Sequence, residues 1–164
     1  MSIRRGKEKT QTVTRRLFLF LALGVVLLDQ LSKMLVQAYL FPGVSHPVIP
    51  PFFQLTLVQN EGVAFGLLQG FEKILRFIIP LSIAVLVVIG PRFNPAHFKT
   101  QWAIGLILGG ALGNWIDPIR VGAVIDSLDF RIWPVFNLAD TAISVGVGLF
   151  MLEFLKSSSK QNVS

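Results

Sequence analysis

The sequence predicts an all-α membrane protein: four transmembrane helices, a small sheet on the outer surface and a second outer loop lying in the interface. Three observations predict it. Of 164 residues, 52% are hydrophobic and 15% charged, against about 25% charged in an ordinary soluble domain. The mean hydropathy is +0.64. Charge is also segregated, with long uncharged stretches between two charge-rich tails. A spanning helix takes ~20 residues, so four spans and their connections use up one integral membrane domain over residues 1–164.

The first span is 17–40. A cleaved signal peptide would share the basic flank of Arg15 and Arg16 and the apolar core Leu17–Leu28, but no A-x-A-like site follows. Asp29, Gln30 and Lys33 come next, then more apolar residues to Phe41, so this helix is expected to be retained. The second span, 73–90, is uncharged over Phe77–Gly90; Lys73 and Arg76 can snorkel at one end, and Pro80 kinks it in lipid. The third, 101–116, carries Gly105, Gly109 and Gly113, two overlapping G-x-x-x-G steps that predict close helix packing. The fourth is 137–155. The tails, 1–14 and 157–164, lack apolar periodicity and are expected to be disordered.

Between the first two spans, Val48–Pro51 and Phe52–Val58 have the β-branched and aromatic content of a strand pair. The 117–136 loop, polar at intervals and apolar between, suits a segment in the interface. Four crossings put both termini on one side. Arg4, Arg5, Lys7, Lys9, Arg15 and Arg16 precede the first span, Arg92 and Lys99 lie in the 91–100 loop, and Lys156 and Lys160 follow the last span. That bias makes both termini cytoplasmic and both long loops external. It also accounts for the net charge of +6 by phospholipid headgroups rather than nucleic acid.

The chain has no cysteine, which excludes thiol catalysis, disulfides and Cys-ligated metals; its only histidines are His46 and His97, with no H-E-x-x-H. No metal or cofactor is expected. Ionisable residues in or near spans are costly and therefore functional candidates: Asp29, Lys33, Asp117, Asp126, Asp129 and Asp140. Asp29 and Lys33, four apart, can form an ion pair on one helical face; that pair is either structural or supplies a group to a substrate backbone. Asn137 suits a helix cap. Asp140, a turn further into an apolar helix, still needs a partner, and Asp126 lies upstream on the same side. Two adjacent carboxylates sharing a proton can work as base and acid on water and a carbonyl. No G-x-S-x-G or G-x-G-D occurs, and Ser32 and Lys33 are adjacent, on different faces. The alternative is a small transporter or proton conductor, built on Pro80, the glycines and buried acids. Against it, the acids gather at one membrane face, and no inverted repeat is evident.

In order along the chain, Asp29-Gln30-Leu31-Ser32-Lys33, Asn60-Glu61-Gly62-Val63-Ala64-Phe65-Gly66, Gly109–Asn114 with Asp117, Gly122, Val124 and Asp126, and Phe136-Asn137-Leu138-Ala139-Asp140 resemble the motifs of the lipoprotein signal peptidases, also called signal peptidase II. The resemblance covers about 29–141. It implies a four-helix aspartic endopeptidase of the bacterial cytoplasmic membrane, with its active site at the outer face. Such enzymes cut the signal peptide from diacylglyceryl-modified prolipoproteins just before the lipidated cysteine. It implies Asp126 and Asp140 as the catalytic pair, with Asp29, Lys33, Asn60, Gly62, Asn114, Asp117, Arg120 and Asn137 binding substrate or supporting the site. It further implies a β-cradle from the first outer loop, a mobile segment in the second, and inhibition by globomycin-type cyclic peptides. One departure stands out. The family usually has Arg after the third-motif acid, where this chain has Pro118, and an aromatic after the next acid, where it has Ser127. Arg120 is expected either to reach the space of the missing Arg through a turn at Asp117-Pro118 or merely to meet lipid headgroups.

Overall fold

The computed structural model describes residues 2–60 and 98–161. In chain order these form α1 (Ser2–Tyr39), β1 (Ser45–Ile49), β2 (Phe53–Asn60), α2 (Phe98–Arg120), β3 (Val124–Asp129) and α3 (Leu138–Gln161). The expected second span, the Glu61–Gly66 part of the second motif (Gly62 with it) and most of the 91–100 loop lie outside the described residues.

Within α1, Leu17–Tyr39 is long and apolar enough to cross a membrane, with mean hydropathy 1.9, the one such stretch among the described residues. Its pattern is that of a helix in lipid. Phe18, Ala22, Asp29 and Lys33 form a buried stripe at helical spacing, while Leu19, Phe20, Leu23, Leu27, Leu28 and Leu31 are exposed. Polar groups inside and leucines outside invert the arrangement of a soluble protein. The helix begins at Ser2 and α3 continues to Gln161. This corrects the expectation of disordered tails: extending a helix that already exists costs far less than starting one. The N-terminal tail has no proline, and Arg4, Arg5, Lys7 and Lys9 in it favour helix.

Glycine sets the helix spacing. A Cβ on Gly109 would stand 2.6 Å from that of Val25 and 2.7 Å from the Ala22 carbonyl oxygen, both on α1. Gly105 meets the Phe18 carbonyl of α1 in the same way, and Gly110 faces the Ala139 carbonyl of α3. The G-x-x-x-G steps therefore serve packing inside the bundle, as expected. Helix α2 is longer than the 101–116 span. It runs through Pro118 to Arg120, and the chain leaves it at Gly122, whose φ of 86° suits a residue without a Cβ. The expected turn at Asp117-Pro118 does not form.

The three strands make one antiparallel sheet in the order β1-β2-β3. The hairpin of β1 and β2 matches the strand pair expected in the first loop. The reading of 117–136 as a segment without a strand missed β3: Val124–Asp129 pairs with β2, with Val58 opposite Asp126 and Asn60 opposite Val124. After β3 the chain turns back. The Ser127 and Leu128 N–H groups both donate to the Phe136 carbonyl, at 2.9 and 2.8 Å. The Phe130 ring lies between Phe53, with centroids 4.8 Å apart, and Phe136, at 5.8 Å. This return delivers Asn137 and the start of α3 beside β3.

Candidate active site

The site is assembled from the first turn of α3. Asn137 precedes the helix, and its carbonyl accepts the Thr141 N–H at 3.2 Å. Its side-chain Oδ1 accepts the Asp140 N–H at 2.9 Å, and its own N–H donates to Asp140 Oδ2 at 3.2 Å. The two bonds are reciprocal, the arrangement of a capping box. Asp140 thus completes the cap and is also a candidate for chemistry. Its other oxygen, Oδ1, accepts from Asn114 Nδ2 of α2 at 2.8 Å.

Asp126 is brought to the same place by β3. Its Oδ1 accepts from Asn137 Nδ2 at 2.7 Å and its Oδ2 from Asn60 Nδ2 at 3.1 Å. Asn60 and Asp126 are diagonal neighbours across the β2–β3 ladder, which puts them on one face of the sheet. Asp126 is only 3% exposed. Burial pushes its carboxyl up to about 6 and the nearby Asp140 charge adds to the rise, against the lowering by the Asn60 and Asn137 hydrogen bonds. Asp140 is half-buried, so the pair has one enclosed and one accessible member. Asn137 bonds to both, holding two carboxylates from different elements in one register.

Behind the pair lies an ion cluster in the bundle. Lys33 Nζ is 2.8 Å from Asp29 Oδ2 and 2.8 Å from Asp117 Oδ2, and all three side chains are at most 1% exposed. The expected Asp29–Lys33 pair is therefore present, and it takes in Asp117 as well. Asp29 Oδ1 accepts the Ala139 N–H of α3 at 3.0 Å, and Asp117 Oδ2 accepts the Ile125 N–H of β3 at 3.1 Å. Each buried acid thus ties its helix to one of the two segments that carry Asp126 and Asp140. A Cβ on Gly113 would stand 2.6 Å from Asp29 Oδ2, so only glycine leaves that carboxylate its place.

Of the residues expected at the site, Asp126, Asp140, Asn60, Asn114 and Asn137 form one hydrogen-bonded group, and Asp29, Lys33 and Asp117 the cluster behind it. Arg120 joins neither group by a close bond. Its Nη2 donates to Gln37 Oε1 at 2.9 Å and lies 3.9 Å from Asp117. Because helix continues through Pro118, this guanidinium is directed along α1, which corrects the compensation expected of it. Gln30 was missed as a site residue. Its Nε2 donates to Asp117 Oδ1 at 2.9 Å and to the Gly113 carbonyl at 3.0 Å. The signal was its presence, a neutral amide beside Asp29 in an apolar helix. Among the described residues no group of three or more His, Cys, Asp and Glu side chains is arranged to hold a metal ion.

Residues 21–156 match the family model described as "Signal peptidase (SPase) II". The lipoprotein signal peptidase of Pelotomaculum thermopropionicum is 46% identical over 147 residues, covering 89% of this chain and 97% of the relative. That of Moorella thermoacetica is 44% identical over 145 residues, covering 88% and 96%. Two solved structures, both described as a bacterial membrane enzyme determined in meso, superpose with TM-scores of 0.79. They are 33% and 34% identical and cover 87% and 85% of this chain.

Proposed function

The chain belongs to the signal peptidase II family, and from that premise we propose that Asp126 and Asp140 hydrolyse the bond between a prolipoprotein's signal peptide and its lipidated cysteine. The protein is a membrane-embedded aspartic endopeptidase that removes signal peptides from prolipoproteins. The observation that carries the proposal is the Asn137 bridge, which binds Asp126 at 2.7 Å while closing a cap with Asp140. Asp140 takes a proton from water as the water oxygen attacks the scissile carbonyl. Asp126, which burial keeps protonated to a higher pH than usual, gives its proton to the carbonyl oxygen. In the second step the proton on Asp140 passes to the leaving nitrogen as the C–N bond breaks, and Asp126 recovers one from the collapsing diol. The proton count of the pair is restored each turnover.

We read the bundle as four spans with the sheet at the outer surface, both termini in the cytoplasm, and phospholipid around the exposed leucines of α1. In this placement the carboxylates meet the substrate where its lipid anchor holds it, at the membrane surface, and water reaches them without a deep channel. A globomycin-type cyclic peptide should compete with substrate for the carboxylate pair. Reporter fusions to Gln161 and to Ser45 should report opposite compartments, the first cytoplasmic; an external C-terminus would overturn the topology.

The test is cleavage of a diacylglyceryl-modified precursor by the purified chain in vesicles, followed by gel shift across pH. The kcat/KM should fall as pH rises through about 6, where the free enzyme loses the Asp126 proton. The corresponding fall in kcat should lie at higher pH, because bound substrate removes more water from that carboxyl. A flat profile would mean that Asp126 is not the acid. Proton flux across the vesicles with no cleavage would favour the transporter alternative.

A further inference from the structure

The link between β3 and α3 contains Arg131, the one non-glycine residue at positive φ among the described residues, at 66°. Across it the Ile132 N–H donates to the Phe130 carbonyl at 2.8 Å. A three-residue turn closed around a residue at positive φ is the rare, strained form of the γ-turn, and such strain persists only where neighbours hold it. Here they do. The Arg131 N–H donates to Asp129 Oδ1 at 2.9 Å, and its Nη1 lies 3.6 Å from Asp129 Oδ2. With the Gln54 amide turned so that its oxygen faces the guanidinium, Oε1 accepts from Arg131 Nε and Nη1 at 2.9 and 2.8 Å. Asp129 is itself buried and accepts the Thr56 hydroxyl at 3.0 Å.

What this clamp presents is apolar. Ile132 is 93% exposed and Trp133 70%. The turn between β1 and β2 behaves alike, with Ile49 58% and Phe52 70% exposed. The two tips are neighbours in the sheet: Ile49 is opposite Phe53, Gln54 is opposite Asp129, and the Phe53 and Phe130 rings touch, with centroids 4.8 Å apart. They form one apolar patch at the end of the sheet, of a kind that marks a membrane or protein contact.

Two observations select lipid. The patch continues the apolar face of α1, which ends in exposed Tyr39 and Phe41; from there to Phe52 the only polar side chains are Ser45 and His46. The chemistry also suits the headgroup level, where tryptophan collects and a long cationic side chain reaches phosphate. The Arg131 side chain, beside Trp133, is 58% exposed despite its clamp.

We propose that the tips of the β1–β2 and β3–α3 turns are seated in the outer leaflet and fix how far Asp126 and Asp140 stand from the bilayer. The inference deepens the reading of the sheet at the outer surface and rests on it. The β3–α3 link joins the strand that carries Asp126 to the helix that carries Asp140, so its depth is passed to both. A substrate whose lipid sets the height of the scissile bond needs an enzyme referenced to the same surface.

The chain has no cysteine, so Ile132→Cys gives a single position for an environment-sensitive fluorophore, at a side chain whose exposure spares the packing. The labelled full chain is placed in vesicles of phosphatidylethanolamine and phosphatidylglycerol. An apolar group in the interface sits about 5–10 Å into the headgroup and acyl boundary. Lipid brominated on the upper acyl carbons should therefore remove most of the signal, and aqueous iodide little. A label quenched by iodide and untouched by brominated lipid overturns the inference. One shielded from both overturns it in favour of a protein on the patch. For the depth role, Ile132→Ser with Trp133→Ser should lower kcat/KM on a lipidated precursor in vesicles by about tenfold, and in detergent micelles, which have no flat surface to refer to, by less than about twofold. Unchanged cleavage in vesicles, or an equal loss in both media, overturns that role. The underlying readings fail separately, by an external C-terminus or by cleavage persisting in Asp126→Asn or Asp140→Asn.

Discussion

Asp126→Asn and Asp140→Asn should each reduce cleavage of a lipidated precursor by about 10²–10⁴-fold, the usual share of a positioned acid or base. In a gel shift that is complete loss. The two changes reach the same result by different losses. At position 126 the amide oxygen can replace only one of the two native acceptors, toward Asn137 or toward Asn60, which bond different oxygens at 2.7 and 3.1 Å, and it carries no proton to give the carbonyl oxygen. At position 140 the amide oxygen can keep one acceptor role, toward the Asn137 N–H or toward Asn114, but not both at full strength. Each change should therefore also lower thermal stability, Asp140→Asn by about 0.5–1 kcal/mol for a weakened cap and Asp126→Asn by about 1–3 kcal/mol for a buried donor left without its acceptor. Near-normal turnover in either variant would remove that residue from the pair.

The second large effect concerns packing. Gly110→Val should destabilise the bundle by about 1–3 kcal/mol or more and abolish cleavage with it. A Cβ there collides with the Ala139 carbonyl and stands 2.8 Å from Ile143 Cγ1, so the added atoms press on the helix turn that carries Asp140. Gly148→Ala provides the contrast. Nothing lies within 4 Å of its Cβ position, and alanine in a helix interior is favoured over glycine by about 1 kcal/mol. That variant should melt at the same temperature as the parent or higher, with full activity. Thermal unfolding in detergent measures both, and equal effects at the two positions would show that contact at Gly110 does not govern the helix spacing.

How far the site was legible depended on what kind of signal each residue gave. The acids were conspicuous because a carboxylate in an apolar chain needs a partner, and the order of motifs supplied the rest. The hairpin was visible because Phe53 to Leu57 alternates apolar and polar residues. Its third strand was not, for a physical reason. In β3 the buried residues include Asp126, Ser127 and Asp129, so polarity marks the inward positions and the usual alternation is lost. Asp129 is satisfied there by the Thr56 hydroxyl at 3.0 Å and the Arg131 N–H at 2.9 Å, partners that no local pattern announces. The helical tails were hidden because the sequence signal for a helix is its apolar stripe, and a helix prolonged from a membrane span needs none. At Asp140, capping and catalysis need not be rivals: the carboxylate closes the cap with Asn137, and the proposed reaction gives it the chemistry as well.

The ion cluster also bears on how such a chain enters the bilayer during synthesis. A lone charge carried into lipid by an inserting helix costs up to about 2.5–3.5 kcal/mol on the biological scale, and less toward a helix end, and helices are made one after another from the N-terminus. Each acid of the cluster arrives with a base on its own helix: Lys33 four residues after Asp29 at 2.8 Å, and Arg120 three residues after Asp117 at 3.9 Å. Either helix can therefore partition into lipid as a zwitterion before the other exists. Docking then adds partners to pairs that persist in the assembled bundle. Lys33 takes Asp117 at 2.8 Å, and the Arg120 guanidinium bonds across to Gln37 of the first helix at 2.9 Å. In the assembled bundle Asp117 thus has a close partner from the neighbouring helix, Lys33, and a more distant one from its own, Arg120.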